Sequence, residues 1–212
     1  SLASSKKSER DQSVDFHKYW IDVASEIGCH SIRVNLRSDE SDSNKILENS
    51  SESMLSLINH SRSQGVSVVV ENHGGITGDA DWLVRLMKNI NSKFVGTLPD
   101  FGSYNFCVKR GELNFEGITG DCEDQYDKYN GVEKLLPFAK GVSAKSHEFN
   151  SMGEEKSTDY SKMMDIITDS SYEGFITIEY EGAVMKMFGG KGDYLEPHEG
   201  VEATKSLIKK YM

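Results

Sequence analysis

Three acidic residues draw attention by where they fall. Glu71 closes the run VSVVVE, Asp100 closes FVGTLPD, and Glu179 lies near the end of FITIEYEG. Between the last two comes GVSAKSHEF, where Ser143, Lys145 and His147 share one face by the two-residue period of an extended chain. Successive segments therefore deliver carboxylate, carboxylate, imidazole and carboxylate. If these segments are neighbouring parallel strands, their ends converge on one edge. Three carboxylates brought together without a cation would repel and would be costly to desolvate. An oxygen-preferring divalent metal is the natural resolution. A mixed Asp/Glu/His set suits Mn²⁺, Mg²⁺ or Co²⁺ at least as well as Zn²⁺.

Each of these residues also has an ordinary role open to it. A carboxylate at a strand end often caps a helix or faces solvent. His73 and His147 would then only orient their loops by hydrogen bonds, Lys145 and Arg33 would only pair with a nearby carboxylate, and Glu181 would support the others or sit in solvent. The Gly-rich stretch Gly189–Gly192 has no helix start or hydroxyl residue directly after it, and reads as a loop.

The elements that must position these groups alternate between two periods. Phe16, Trp20, Val23 and Ile27 recur at helical spacing, and Gly28 stops that helix. His30 to Leu36 then reads as a strand, with Ile32, Val34 and Leu36 on an apolar face and Arg33 on the polar one. Further strands are expected at Val66 to Glu71, Phe94 to Pro99, Gly141 to His147 and Gly174 to Tyr180. A helical pattern follows each: Leu47, Met54, Leu55 and Ile58; Trp82, Leu83, Leu86 and Ile90; Tyr129, Val132 and Leu136; Tyr160, Met163, Met164 and Ile167; Val201, Thr204, Ile208 and Tyr211. Trp82 and the methionines are expected in the core. Two long loops, Phe101 to Gln125 and Gly182 to Glu199, both follow strands. Strict alternation implies an α/β fold with a parallel sheet under helices, either an open doubly wound sheet or a closed barrel. No GxGxxG follows the first strand, which weighs against dinucleotide binding.

The 212 residues suit a single domain, 1–212, with residues 1–13 expected to be flexible. A formal charge of -10 disfavours a nucleic-acid or anionic-membrane partner, and no apolar run is long enough to span a bilayer. Cys29, Cys107 and Cys122 form no CxxC pair and are expected as free thiols, which points to the cytoplasm.

The segments HSIRVN, VVVENHGG, GTLPDFGS, FAKGVSAKSHEF and ITIEYEG, in this order, resemble the xylose isomerase-like TIM-barrel family, and within it the sugar phosphate isomerases and epimerases. The resemblance runs from about Phe16 to the C-terminus. It implies a (β/α)₈-type barrel of which this chain holds about five βα units, the first three strands having no counterpart. A truncated chain, a rearrangement or a second chain, as in a homo-oligomer, would account for the gap. The resemblance also implies one divalent metal on Glu71, Asp100 and Glu179. The family's fourth ligand is the histidine of a His-x-Lys pattern. Here Ser143-Ala144-Lys145 stands in that place, which leaves His147, farther along the same face, as the candidate.

The activity so implied is isomerisation or epimerisation of a small sugar or sugar phosphate. Glu71 and Glu179 would move a proton next to the carbonyl through an enediolate, and His73, Lys145 and Arg33 would contact substrate. Two rivals stand beside it. A zinc-dependent abasic-site endonuclease would need more strand-end histidines and a basic groove. A degenerate partial barrel would bind a sugar or a protein partner without turnover.

Overall fold

The computed structural model describes residues 1–110 and 122–212. Along them run α1 (Lys7–Glu26), β1 (Ser31–Val34), α2 (Ser43–Gln64), β2 (Ser67–Glu71), α3 (Ala80–Ile90), β3 (Val95–Leu98), β4 (Cys107–Arg110) and β5 (Cys122–Gln125). They are followed by α4 (Lys128–Leu135), β6 (Val142–Ser146), α5 (Tyr160–Thr168), β7 (Ile176–Tyr180), α6 (Gly182–Met187) and α7 (Pro197–Tyr211). The α/β alternation expected from periodicity is present.

β1 pairs in parallel with β2, and β2 with β3, so that Ser31 faces Ser67 and Glu71 faces Leu98. β6 pairs in parallel with β7, with Lys145 opposite Glu179. Two isolated parallel bridges, Thr97 to Ala139 and Asp100 to Ser143, join the end of β3 to β6. The carboxyl ends of β1, β2, β3, β6 and β7 therefore lie side by side. At the opposite end, His30 before β1 stacks on Phe175 before β7, with ring centroids 5.7 Å apart. No backbone hydrogen bond joins those two strands among the described residues.

The helices pack as their spacing requires. α3 starts at Asp79, whose side chain accepts the backbone N–H groups of Asp81 and Trp82, and it buries Trp82, Leu83, Leu86 and Ile90. Asp42 caps α2 in the same way, and Gly65 ends that helix at φ 70°, a conformation that costs a side chain-bearing residue steric strain. In α4, Gly131 lies so close to Phe106 that a Cβ there would come within 2.2 Å of the ring. Phe106 is fully buried, and this close approach fixes the segment that precedes β4.

Several expectations are corrected. Met54, Met87, Met163 and Met164 are core residues, but Met152, Met187 and Met212 are exposed, because they lie on a turn, a short helix and the chain end. On α1 the buried positions are Arg10, Val14, Ile21 and Ala24, while Phe16, Trp20 and Ile27 face outward. Residues 1–13 hold the first turns of α1. Leu2 and Ala3 are fully buried there, with Ala3 O accepting from the Ser38 hydroxyl at 2.6 Å.

The expected loop from Gly182 contains α6, and the one from Phe101 contains the antiparallel pair β4–β5; its middle, 111–121, lies outside the described residues. That pair also corrects the thiol expectation. It sets Cys107 and Cys122 with Cα atoms 5.7 Å apart and joined as a disulfide, leaving Cys29 as the free and exposed cysteine. The thiols therefore give no support to a reducing compartment. No described helix is long and apolar enough to cross a membrane.

One buried charge makes a testable contribution to stability. Lys128, at the start of α4, donates to Ser157 O and Thr158 Oγ1, both at 2.9 Å. Burial pulls its ammonium down from 10.5 to about 8, against the opposing pull of Glu155, Asp100 and Asp127. Below the folded value both states hold the proton, and the folded state bears the whole cost of the buried charge. Between the two values the folded state releases its proton first, so stability rises with pH. Relative to Lys128→Met, the unfolding free energy of the unaltered protein should rise by roughly 2 kcal/mol between about pH 7.5 and about pH 10. Denaturant unfolding at both pH values measures this, and a difference that does not change with pH would refute it.

Candidate active site

The carboxyl edge of the sheet gathers the acidic residues singled out in the sequence. Glu71 ends β2 and is 1% exposed; Asp100 follows β3 and is fully buried; Glu179 sits in β7 with a partly open side chain. One ligand atom from each can be chosen so that all lie within 4.8 Å of one another.

Each carboxylate is held from a different side. Arg33, reaching from β1, forms an ion pair with Glu71 Oε2. The amide of Asn105, between β3 and β4, donates to Glu71 Oε1 at 3.4 Å and to Asn72 O at 2.8 Å. Asn72 and Asp100 clasp one another: the Asn72 amide donates to Asp100 O at 3.1 Å, and Asp100 N donates to Asn72 Oδ1 at 2.8 Å. Gly102 N donates to Asp100 Oδ1 at 2.7 Å, while Asp100 Oδ2 is buried with no hydrogen-bond partner. The Ser143 hydroxyl donates to Glu179 Oε2 at 2.7 Å.

Lys145 stands at the centre. Its Nζ is 3.4 Å from Asp100 Oδ2, 3.4 Å from Glu179 Oε1 and 3.2 Å from Glu181 Oε2. The Tyr160 hydroxyl fixes the strand behind it by donating to Lys145 O at 2.9 Å. His147 does not join the carboxylate group: its Nε2 lies 3.5 Å from Glu181 Oε2. Serine at 143 therefore brings a hydroxyl to Glu179 where the family pattern has an imidazole. His73 lies in the wall of a cavity beside the site, its ring edge-on to Tyr104.

The electrostatics follow from this geometry. Burial, reinforced by Glu179 and Glu71, pushes Asp100 well above the ordinary carboxyl range in spite of Lys145. Burial also opposes ionisation of Glu179, but the Ser143 hydroxyl and Lys145 more than offset it and leave its value lowered. His147 holds Glu181 down at about 2. Lys145 resists burial because Asp100, Glu181 and Glu179 surround it, and its ammonium is raised. Four carboxylates thus face two cations, Arg33 and Lys145. This excess of carboxyl groups, with Asp100 Oδ2 making no hydrogen bond and only a 3.4 Å ion-pair approach from Lys145, is the environment that a divalent cation with oxygen ligands would satisfy on displacing the Asp100 proton. The residues present fit such an ion.

Sequence alone did not single out Asn72 or Asn105. Asn72 is visible beside Glu71 in ENH, but Asn105 lies in a segment without periodicity and carried no signal.

The sequence pattern of the family described as xylose isomerase-like TIM barrel matches residues 1–211. No curated protein matches the chain by sequence. Among solved structures, a D-tagatose 3-epimerase-like protein superposes with a TM-score of 0.68 at 17% identity, covering 99% of this chain and 72% of that one. L-ribulose 3-epimerase gives 0.71 at 11% identity, over 99% and 70%. A xylose isomerase-like TIM barrel protein from Mycobacterium smegmatis, in complex with magnesium, gives 0.58 at 14%, over 96% and 70%. At these identities the superpositions establish the fold alone. With the family pattern matched over almost its whole length, this chain belongs to the xylose isomerase-like TIM barrel family.

Proposed function

We propose that the protein is a divalent-metal-dependent isomerase or epimerase of a small sugar or sugar phosphate. The observation that carries this reading is the approach of Glu71, Asp100 and Glu179 to within 4.8 Å on the carboxyl edge of parallel strands. The sugar epimerases among the similar structures, and the magnesium in one of them, support it. A cation on these three residues would supply Lewis acidity to adjacent carbonyl and hydroxyl oxygens of the substrate. Glu71 and Glu179 would stand on either side of the reacting carbon, one taking its proton and the other returning it, through an enediolate. Lys145 and Arg33 would balance the negative charge that develops on the substrate oxygens, and His73 would contact a hydroxyl. His147, facing Glu181, would together with Lys145 keep that carboxylate ionised.

β1 and β7 each have one unpaired edge among the described residues, and the chain spans about 70% of the length of the solved structures it matches.

The test is metal content with proton exchange. Protein equilibrated with Mn²⁺ and freed of excess should hold about one ion per chain. In D₂O it should exchange the hydrogen next to the carbonyl of a ketose or ketose phosphate. Bound ion without exchange on any member of a ketose panel would leave a binding protein, and neither ion nor exchange would end the reading.

A further inference from the structure

We propose that the cavity beside the candidate metal site receives a phosphate monoester on the end of the substrate remote from its carbonyl, with Arg37 as the counter-charge. This rests on the sugar reading above and narrows it to phosphorylated sugars. The cavity has a volume of about 360 Å³ and lies between the segments that follow β1 and β2. Its wall includes His73, two residues beyond Glu71, a separation of about 7 Å along an extended chain. A ligand whose reacting carbons lay at Glu71 would therefore carry its far end into this space.

The chemistry of the lining points to an anion. Arg37 lines the cavity, and its guanidinium makes no ion pair or hydrogen bond among the described residues. The other charged group in the wall, Glu40, is already engaged: Ser41 N and Asp42 N donate to its carboxylate at 2.9 and 3.2 Å, and Lys45 lies 3.9 Å away. Leu36, Ile46, Ile76 and Val108 supply an apolar lining for the carbon chain of a ligand, while Arg37 itself is exposed at the mouth. A planar guanidinium with parallel donors matches phosphate oxygens in pairs, which a neutral hydroxymethyl group would not exploit. In a chain with formal charge -10, an uncommitted arginine in a cavity marks a local exception to the prevailing field.

Inorganic phosphate is the direct probe, titrated calorimetrically into the protein without metal or sugar. It should bind the unaltered protein, bind Arg37→Gln at least about tenfold more weakly, and bind Lys88→Gln, a charge-matched control on α3, as well as the original. In turnover assays, Arg37→Gln should raise KM for a ketose phosphate at least about tenfold more than KM for the free ketose. Circular dichroism verifies that both variants are folded. Equal phosphate affinity in Arg37→Gln, equal loss in Lys88→Gln, or no binding by the unaltered protein would each overturn the proposal. Arg37-dependent phosphate binding with no turnover of any ketose would instead uphold the subsite and bring down the isomerase reading, so the two failures are distinguishable.

Discussion

Glu179→Gln should lower turnover of the ketose substrate by about 10²–10⁴-fold while changing metal affinity by less than about tenfold. Glu71 and Asp100 are buried, whereas the Glu179 side chain is 39% exposed and therefore the most accessible of the three. The Ser143 hydroxyl and Lys145 keep its carboxyl ionised, so it is ready to accept a proton at neutral pH. Glutamine keeps an oxygen that can accept the Ser143 hydrogen bond and face an ion, but loses the charge and the basicity. Steady-state kinetics with a parallel metal titration separates the two roles. Unchanged turnover would remove Glu179 from the chemistry. A large loss of metal affinity would make it chiefly a ligand.

Lys145→Met should make folding depend on added metal. The ammonium is 4% exposed and touches Asp100, Glu179 and Glu181 at once. Its removal leaves buried carboxylates uncompensated, a class of change that costs about 3–5 kcal/mol. The cost should fall at the low end of that range, since burial disposes Asp100 to hold its proton, and Glu179 and Glu181 are more than a third exposed and screened by water. A divalent cation bound to the folded state would replace the missing positive charge and recover stability by mass action. Thermal unfolding with chelator and with Mn²⁺ should therefore show a larger metal-induced rise in Tm for the variant than for the original. Equal stability of the two proteins in chelator would show that Lys145 does not balance this cluster.

The fold was legible where a single period governs a segment. The helix at Trp82 to Ile90 and the strand ending at Glu71 combine strong patterning with clear boundaries, and both stand where expected. The strand-end carboxylates were legible for the same reason, because alternation fixes which side chains reach the edge. Features made by contacts between distant segments were not. Asn105 reaches Glu71 across 34 positions, and no local pattern encodes that. The Cys107–Cys122 disulfide depends on an antiparallel pairing between short strands, one of them almost wholly polar, whose sequences carry little β signal. On α1 the spacing of Phe16, Trp20 and Ile27 identifies a helix, but it does not say which side the core takes, and the core takes Val14, Ile21 and Ala24.

The stacked rings of His30 and Phe175 hold the outermost parallel strands together at their amino ends. At the other end β1 brings a cation, Arg33, while β7 brings the carboxylates of Glu179 and Glu181. The arrangement resembles a pair of tongs pinned at the base with oppositely charged tips. A cation seated on Glu71, Asp100 and Glu179 would compete with Arg33 and Lys145 for those carboxylates, so that loading the metal and freeing the two basic side chains would become one event.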